Sequence, residues 1–186
     1  MTDTDDIPTA AAALRRGGVV AWPTEAVFGL GCDPSNRVAV ARLFALKQRP
    51  PTQGMLLVGG EFAQIVPYID PATPREALER ALASWPGPQT WVFPRAPGVP
   101  EWIAGDHPGI ALRVTAHPTA AALCAAFGGA LVSTSANRHG EAPARCAEAV
   151  RLAFGYDIDA LVDGALGGLE RPTPIRDAIS GALLRR

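Results

Sequence analysis

Lys47 is the only lysine among 186 residues, and the other sixteen basic side chains are arginines. Arginine spreads its charge over a planar fork, whereas lysine puts a compact, strongly hydrated charge on a flexible stem, so the two exchange freely only where any cation serves. In so lysine-poor a chain, Lys47 is either an ammonium fitted to a site or a helix cap offsetting the negative end of a dipole. Two residues on, Arg49 adds a second cation with no acid beside it, and such a pair suits a polyphosphate better than a single carboxylate. A solvated helix end is the plainer alternative.

Three further stretches carry chemistry-bearing groups. Ser133-Thr134-Ser135-Ala136-Asn137 follows an apolar run, and in open α/β sheets ligands bind beyond the carboxyl ends of strands. Its hydroxyls and amide either hold phosphate oxygens or cap the next turn through local bonds to the backbone. Arg113 interrupts the apolar run Ile110-Ala111-Leu112-Arg113-Val114, so its guanidinium is expected on an exposed face, or else aimed at an acidic partner or a ligand carboxylate. Thr24 and Glu25, in Pro23-Thr24-Glu25, fit a site or an ordinary turn equally well.

Several familiar chemistries are excluded. The lone lysine lies between Leu46 and Gln48, so there is no Walker A motif, Gly29-Leu30-Gly31 lacks the third glycine of a dinucleotide fingerprint, and no His-Glu-x-x-His is present. His107, His117 and His139 lie in or beside proline- and glycine-containing segments without ligand spacing, which predicts surface or capping roles. Cys32, Cys124 and Cys146 are odd in number and lack any Cys-x-x-Cys spacing, so free thiols are expected rather than disulfides or structural zinc.

The elements that must position these groups follow from pattern and punctuation. Helices are predicted over Ile7 to Arg16, Val38 to Lys47 (stopped by Pro50-Pro51), Glu61 to Val66, Thr73 to Ser84, His117 to Phe127 and Cys146 to Phe154, with Thr73 as the N-cap of its helix. Strands are predicted over Val19 to Trp22, Met55 to Val58, Trp91 to Phe93, Gly109 to Val114 and Ala130 to Ser133, and near Ala160 to Val162, Pro174 to Arg176 and Ala182 to Leu184. Pro23 to Pro34 and Pro94 to Pro108 read as loops. Helices alternating with short strands imply an α/β fold, and the closely spaced C-terminal strands imply a mixed sheet.

The totals agree with an ordinary globular chain, 48% hydrophobic and 19% charged, organised as one domain over 1–186. A formal charge of −1 gives no general attraction to nucleic acid or anionic membranes, so any anion site must be local. Met1 to Asp6 is acidic and unlike a signal peptide, and the longest apolar run, Ala120 to Val132, is interrupted by Gly128-Gly129 and too short to span a bilayer. A cytoplasmic protein without membrane association, monomeric by default, is the expectation.

Taken together, Trp22-Pro23-Thr24-Glu25-Ala26-Val27-Phe28-Gly29-Leu30-Gly31, Leu46-Lys47-Gln48-Arg49-Pro50, Trp85-Pro86-Gly87-Pro88, Ala111-Leu112-Arg113-Val114, Ser133-Thr134-Ser135-Ala136-Asn137 and Ile175-Arg176-Asp177 resemble the YrdC/Sua5 family, closest to its short, single-domain bacterial form. The resemblance implies a YrdC/RibB-like twisted mixed sheet flanked by helices, with a large concave cavity. It also implies a reaction: L-threonine, bicarbonate or carbon dioxide, and ATP yield threonylcarbamoyl-adenylate and pyrophosphate, the first stage of tRNA t6A biosynthesis.

By that resemblance Lys47 and Arg49 meet the triphosphate as the catalytic cations, and Ser135, Asn137 and Arg185 complete the ATP site. Thr24, Arg113, Ser133 and Thr173 surround threonine, with Arg113 on its carboxylate. Mg2+ rides on the ATP phosphates with no ligand from protein side chains. Val58 stands where longer members carry a threonine-contacting histidine, so that contact does not transfer. Other t6A-pathway proteins are the partners implied. A competing reading from a different class is an RNA-binding module that holds tRNA or double-stranded RNA in the same cavity without chemistry. Its binding would weaken steeply with salt.

Overall fold

The computed structural model describes residues 5–171 and 173–185, so the first four residues of the acidic N-terminal stretch lie outside it. The helices are α1 (Ile7–Arg15), α2 (Arg37–Lys47), α3 (Phe62–Ile65), α4 (Arg75–Leu82), α5 (Glu101–Ala104), α6 (Pro118–Phe127) and α7 (Ala147–Phe154). The strands are β1 (Val20–Pro23), β2 (Phe28–Gly31), β3 (Leu56–Gly59), β4 (Thr90–Pro94), β5 (Gly109–Val114), β6 (Leu131–Ser135), β7 (Ala160–Leu161), β8 (Ile175–Asp177) and β9 (Leu183–Arg185). They form one sheet in the order β7-β1-β2-β6-β3-β5-β4-β8-β9. Three pairs are parallel (β1 with β7, β3 with β5, β4 with β8) and the other five are antiparallel, which makes the sheet mixed.

Alternation along the strands assigns the two faces. Leu30, Leu57, Leu112 and Val132 join one core with Val40, Leu43 and Phe44 of α2 and Val150 and Phe154 of α7. Val20, Trp22, Val58 and Leu131 join a second core with Ala10, Ala13 and Leu14 of α1 and Ala120, Leu123 and Cys124 of α6. Two-residue steps from the second set lead to Leu56, Ser133 and Ser135, and in register beside Val58 and Leu56 stand Arg113 and Ala111. The α1/α6 layer thus covers only part of its face, and the cavity occupies the rest.

Phe28 to Gly31 corrects the loop expected over Pro23 to Pro34. The glycines of β2 answer a packing demand rather than a turn: a Cβ at Gly31 would lie 1.7 Å from Val132 O and 2.7 Å from the Trp22 ring, and one at Gly29 would lie 3.1 Å from Thr24 Cγ2. Trp22 lies across this glycine trough. Gly31→Ala is expected to lower stability by about 3 kcal/mol or more, because the clash is with backbone that cannot step aside. A denaturant titration checks this, and a loss under about 1 kcal/mol would contradict the packing account.

Other expectations also change. The loop from Pro94 to Pro108 contains the single-turn helix α5, whose Ile103 carbonyl accepts the Met55 amide at 2.7 Å and so fixes the entry into β3. Thr73 does not cap α4, because the N-cap is Pro74 without a side-chain bond and Thr73 Oγ1 has no partner. His117 takes the N-cap position of α6, without a side-chain cap bond, and is buried rather than on the surface, its Nε2 lying 3.0 Å from Ala165 O, whereas His107 and His139 are exposed. Cys32 and Cys124 are buried free thiols and Cys146 is an exposed one. Among the described residues no helix is long and apolar enough to cross a membrane.

Candidate active site

Thr24, Lys47, Arg49, Arg113, Ser133, Ser135, Asn137, Thr173 and Arg185, scattered over most of the chain, line one cavity of about 1010 Å³. Asp177, His107 and His139 also line it.

Helix α2 packs on the opposite face of the sheet, but its last residue reaches past the carboxyl end of β6. Asn36 begins the helix by accepting the Val38 and Ala39 amides at 3.1 Å, and Gln48 ends it in the left-handed conformation. The helix end thereby turns Lys47 inward, with only 4% of its surface exposed. Its Nζ donates to Ser135 O, to Asn137 O at 2.9 Å and to Asn137 Oδ1 at 3.3 Å, which engages all three N–H donors of an ammonium. Ser135 Oγ donates to Asn137 Oδ1 at 2.6 Å, while Asn137 Nδ2 donates to Arg138 O and Glu141 O. The Ser-x-Asn turn is therefore locked around Lys47.

Burial, and secondarily the charge of Arg49, push the Lys47 ammonium down from 10.5 to about 8. Arg49 is steadied by its own neighbourhood, with Nε donating to Gln53 Oε1 at 2.8 Å and Nη2 to Gln53 O and Gly54 O. Burial, then the nearby Arg185, draw the Arg49 guanidinium below its ordinary value. Arg185, at the end of β9, is exposed.

These shifts predict a pH dependence. The Lys47 charge is lost as pH rises through about 8, so polyphosphate affinity is expected to be roughly tenfold weaker at one unit above that value. Binding an anion there takes up a proton, which calorimetry in buffers of different ionisation enthalpy would register. The stability sign is the reverse of a partnered lysine: between about 8 and 10.5 the unfolded chain holds the proton and the folded one does not, so this group makes stability rise with pH across that window.

At the other end of the cavity, Arg113 is only 5% exposed, which corrects the expectation of an exposed face. Nη1 donates to Thr173 Oγ1 at 2.8 Å, Nη2 lies 3.5 Å from Glu25 Oε2, and Nε has no partner. Burial pushes its pKa down while Glu25 pulls it up, leaving a charged guanidinium with donors to spare. Thr24 Oγ1 donates to Val27 O at 2.7 Å, and the Ser133 hydroxyl makes no bond to protein among the described residues. Val58 is packed in the second core, away from the cavity wall. Glu25, which sequence left between site and turn, is buried and partnered by Thr115 Oγ1 at 2.6 Å. Thr115 had given no sequence signal.

One cavity thus holds cations that have no carboxylate partner among the described residues together with a half-neutralised guanidinium, an arrangement for holding two different anions. Residues 12–186 match the family described as "Telomere recombination", Sua5/YciO/YrdC. The chain is similar to the threonylcarbamoyl-AMP synthase of Halorhodospira halophila, 62% identical over 177 residues, covering 95% of this chain and 92% of that one. It is likewise similar to that of Coxiella burnetii, 51% identical over 182 residues, covering 98% and 97%. Among solved structures it resembles P. abyssi Sua5 complexed with L-threonine, with a TM-score of 0.86 and 32% identity over 92% of this chain and 50% of that one. The chain therefore spans about half the length of that solved protein. With a match running from residue 12 to the last residue and relatives more than half identical, the chain belongs to the Sua5/YciO/YrdC family.

Proposed function

We propose that this chain is a threonylcarbamoyl-AMP synthase, joining L-threonine, bicarbonate or carbon dioxide, and ATP into threonylcarbamoyl-adenylate with release of pyrophosphate. The observation that carries the proposal is one cavity lined both by a cationic group of Lys47, Arg49 and Arg185 and by Arg113 with its partner Thr173, with Thr24 and Ser133 in the same wall. The names of the similar proteins support the same reading.

The chemistry asks more of positioning than of acid or base groups. The threonine amine, once deprotonated, captures carbon dioxide as a carbamate. A carbamate oxygen then forms a bond to the α-phosphorus as the bond from that phosphorus to the bridging oxygen breaks and pyrophosphate leaves. Two anions must approach, so the protein's contribution is cationic charge and fixed geometry. Arg113 orients the threonine carboxylate through its free donors, with Thr24, Ser133 and Thr173 around it. Lys47 and Arg49 stabilise charge gathering on the departing pyrophosphate. The long 3.3 Å contact from Lys47 to Asn137 Oδ1 is the one a phosphate oxygen would replace. Asn137, with its amide donors engaged, serves by holding Lys47 and Ser135, while Arg185 stands available for phosphate and the Ser135 hydroxyl reaches it by turning its proton away from Asn137 Oδ1.

Hydroxyl and amide oxygens near Lys47, rather than a carboxylate cage, would suit a Mg2+ ion held through the ATP phosphates and water, with no ligand needed from a protein side chain. When bound, the ion supplies further neutralisation of the triphosphate. The product's consumer is a further t6A-pathway protein acting on tRNA. The cytoplasm, which supplies ATP, is where we place the reaction.

The test is pyrophosphate release with ATP, magnesium and bicarbonate, in the presence of threonine, serine or no amino acid. Threonine-dependent release is expected, and release indifferent to the amino acid would contradict the reading.

A further inference from the structure

One connected cavity must sort a polyphosphate from an amino-acid carboxylate, although cations attract both. The cations differ in what they already hold. Among the described residues Lys47, Arg49 and Arg185 form no ion pair with a carboxylate, whereas Arg113 has Glu25 Oε2 at 3.5 Å. Glu25 is only 6% exposed and stands behind the cavity wall rather than in it. Its Oε1 is anchored by Thr115 Oγ1, which in turn accepts the His117 amide at 3.0 Å. The carbonyls of Thr24 and Glu25 accept the amides of Gly167 and Leu169 at 3.0 and 2.9 Å, so the carboxylate is fixed from both its side chain and its backbone.

We propose that Glu25 is a specificity-determining residue that divides the cavity by charge, neutralising Arg113 so that polyphosphate is held at the Lys47 end and the Arg113 end is left for the amino acid. The proposal rests on the functional reading above. A polyphosphate is drawn by net cationic charge, and a desolvated guanidinium without its counter-ion would be the strongest attractor in the cavity. A threonine carboxylate needs less. It binds through the paired geometry of a guanidinium edge, which Arg113 still offers because Nε has no partner and Glu25 occupies only one nitrogen, at a long distance. Removing the Glu25 charge should therefore cost discrimination more than contact. A merely structural Glu25 would do the opposite: its loss would weaken threonine without making polyphosphate a competitor.

Calorimetric titration of threonine, with and without saturating pyrophosphate, separates the two. In the wild type, pyrophosphate should change the apparent threonine Kd by less than about twofold; in Glu25→Gln it should raise it by about tenfold or more, because both ligands now seek Arg113. A Glu25→Gln protein in which pyrophosphate has the same small effect as in wild type overturns the proposal, whatever its threonine affinity. A wild type that binds neither ligand overturns the functional reading together with the proposal, whereas a wild type that binds both, with no competition in the variant, overturns the proposal alone. If burying an unpaired Arg113 prevents Glu25→Gln from folding, the double variant Glu25→Gln/Arg113→Gln buries neither charge. Its pyrophosphate Kd should stay within about twofold of wild type. A loss of about tenfold there would assign Arg113 to the polyphosphate and equally overturn the division.

Discussion

Lys47→Arg is expected to lower kcat/KM for threonine-dependent pyrophosphate release by about 100-fold or more, although the charge is unchanged. The reason is shape. Lys47 is almost fully enclosed, and its ammonium fits between Ser135 O, Asn137 O and Asn137 Oδ1, a pocket formed by the turn after β6. A planar guanidinium is larger and cannot direct its donors to three converging acceptors. It would have to displace the turn that carries Ser135 and Asn137 or withdraw towards Arg49, whose charge opposes it. Loss of a single preorganised cation or donor at a reacting phosphate typically costs two to three orders of magnitude, roughly 3 to 4 kcal/mol. Steady-state assays on the folded variant check this, and wild-type turnover would show that the ammonium has no special place.

Arg113→Lys should act on the other substrate. It preserves a cation beside Glu25, avoiding an orphaned buried carboxylate, but it exchanges a two-toothed edge for a point charge and forfeits the geometry that links Thr173 at 2.8 Å to a free Nε. Losing one charged hydrogen bond of about 2 kcal/mol corresponds to a rise of about 30-fold in the threonine KM. The KM for ATP should move by less than about twofold, because the two ends of the cavity hold different anions. Equal effects on both substrates would contradict that separation.

Much of this site was legible because the chain is economical with lysine and because its Lys-x-Arg and Ser-x-Asn stretches sit at a helix end and a strand end. Local patterns placed most elements within a residue or two, including α2 and β5, since each has a clear period and clear stops. What failed was long-range. Arg113 looked solvent-facing because Ile110, Leu112 and Val114 supply one apolar face, yet its own face lies at the border of the α6 layer. Its partner Glu25 is far away in the chain and sits in a Pro-Thr-Glu stretch that looks like turn chemistry. Gly29 and Gly31 signal a loop by propensity, whereas their purpose is close approach to Trp22 and β6. His117, flanked by proline, looked exposed until the segment carrying Ala165 closed over it.

A synthase of this kind couples a carbamate of threonine to the α-phosphorus of ATP within one cavity. Incubating the protein with ATP, magnesium, threonine and heavy-carbon bicarbonate, then analysing the adenylate by mass spectrometry, tests it most directly. The expected product is an adenylate that carries threonine and the labelled carbon together. An unlabelled threonyl-adenylate, or no threonine-containing adenylate at all, would contradict it.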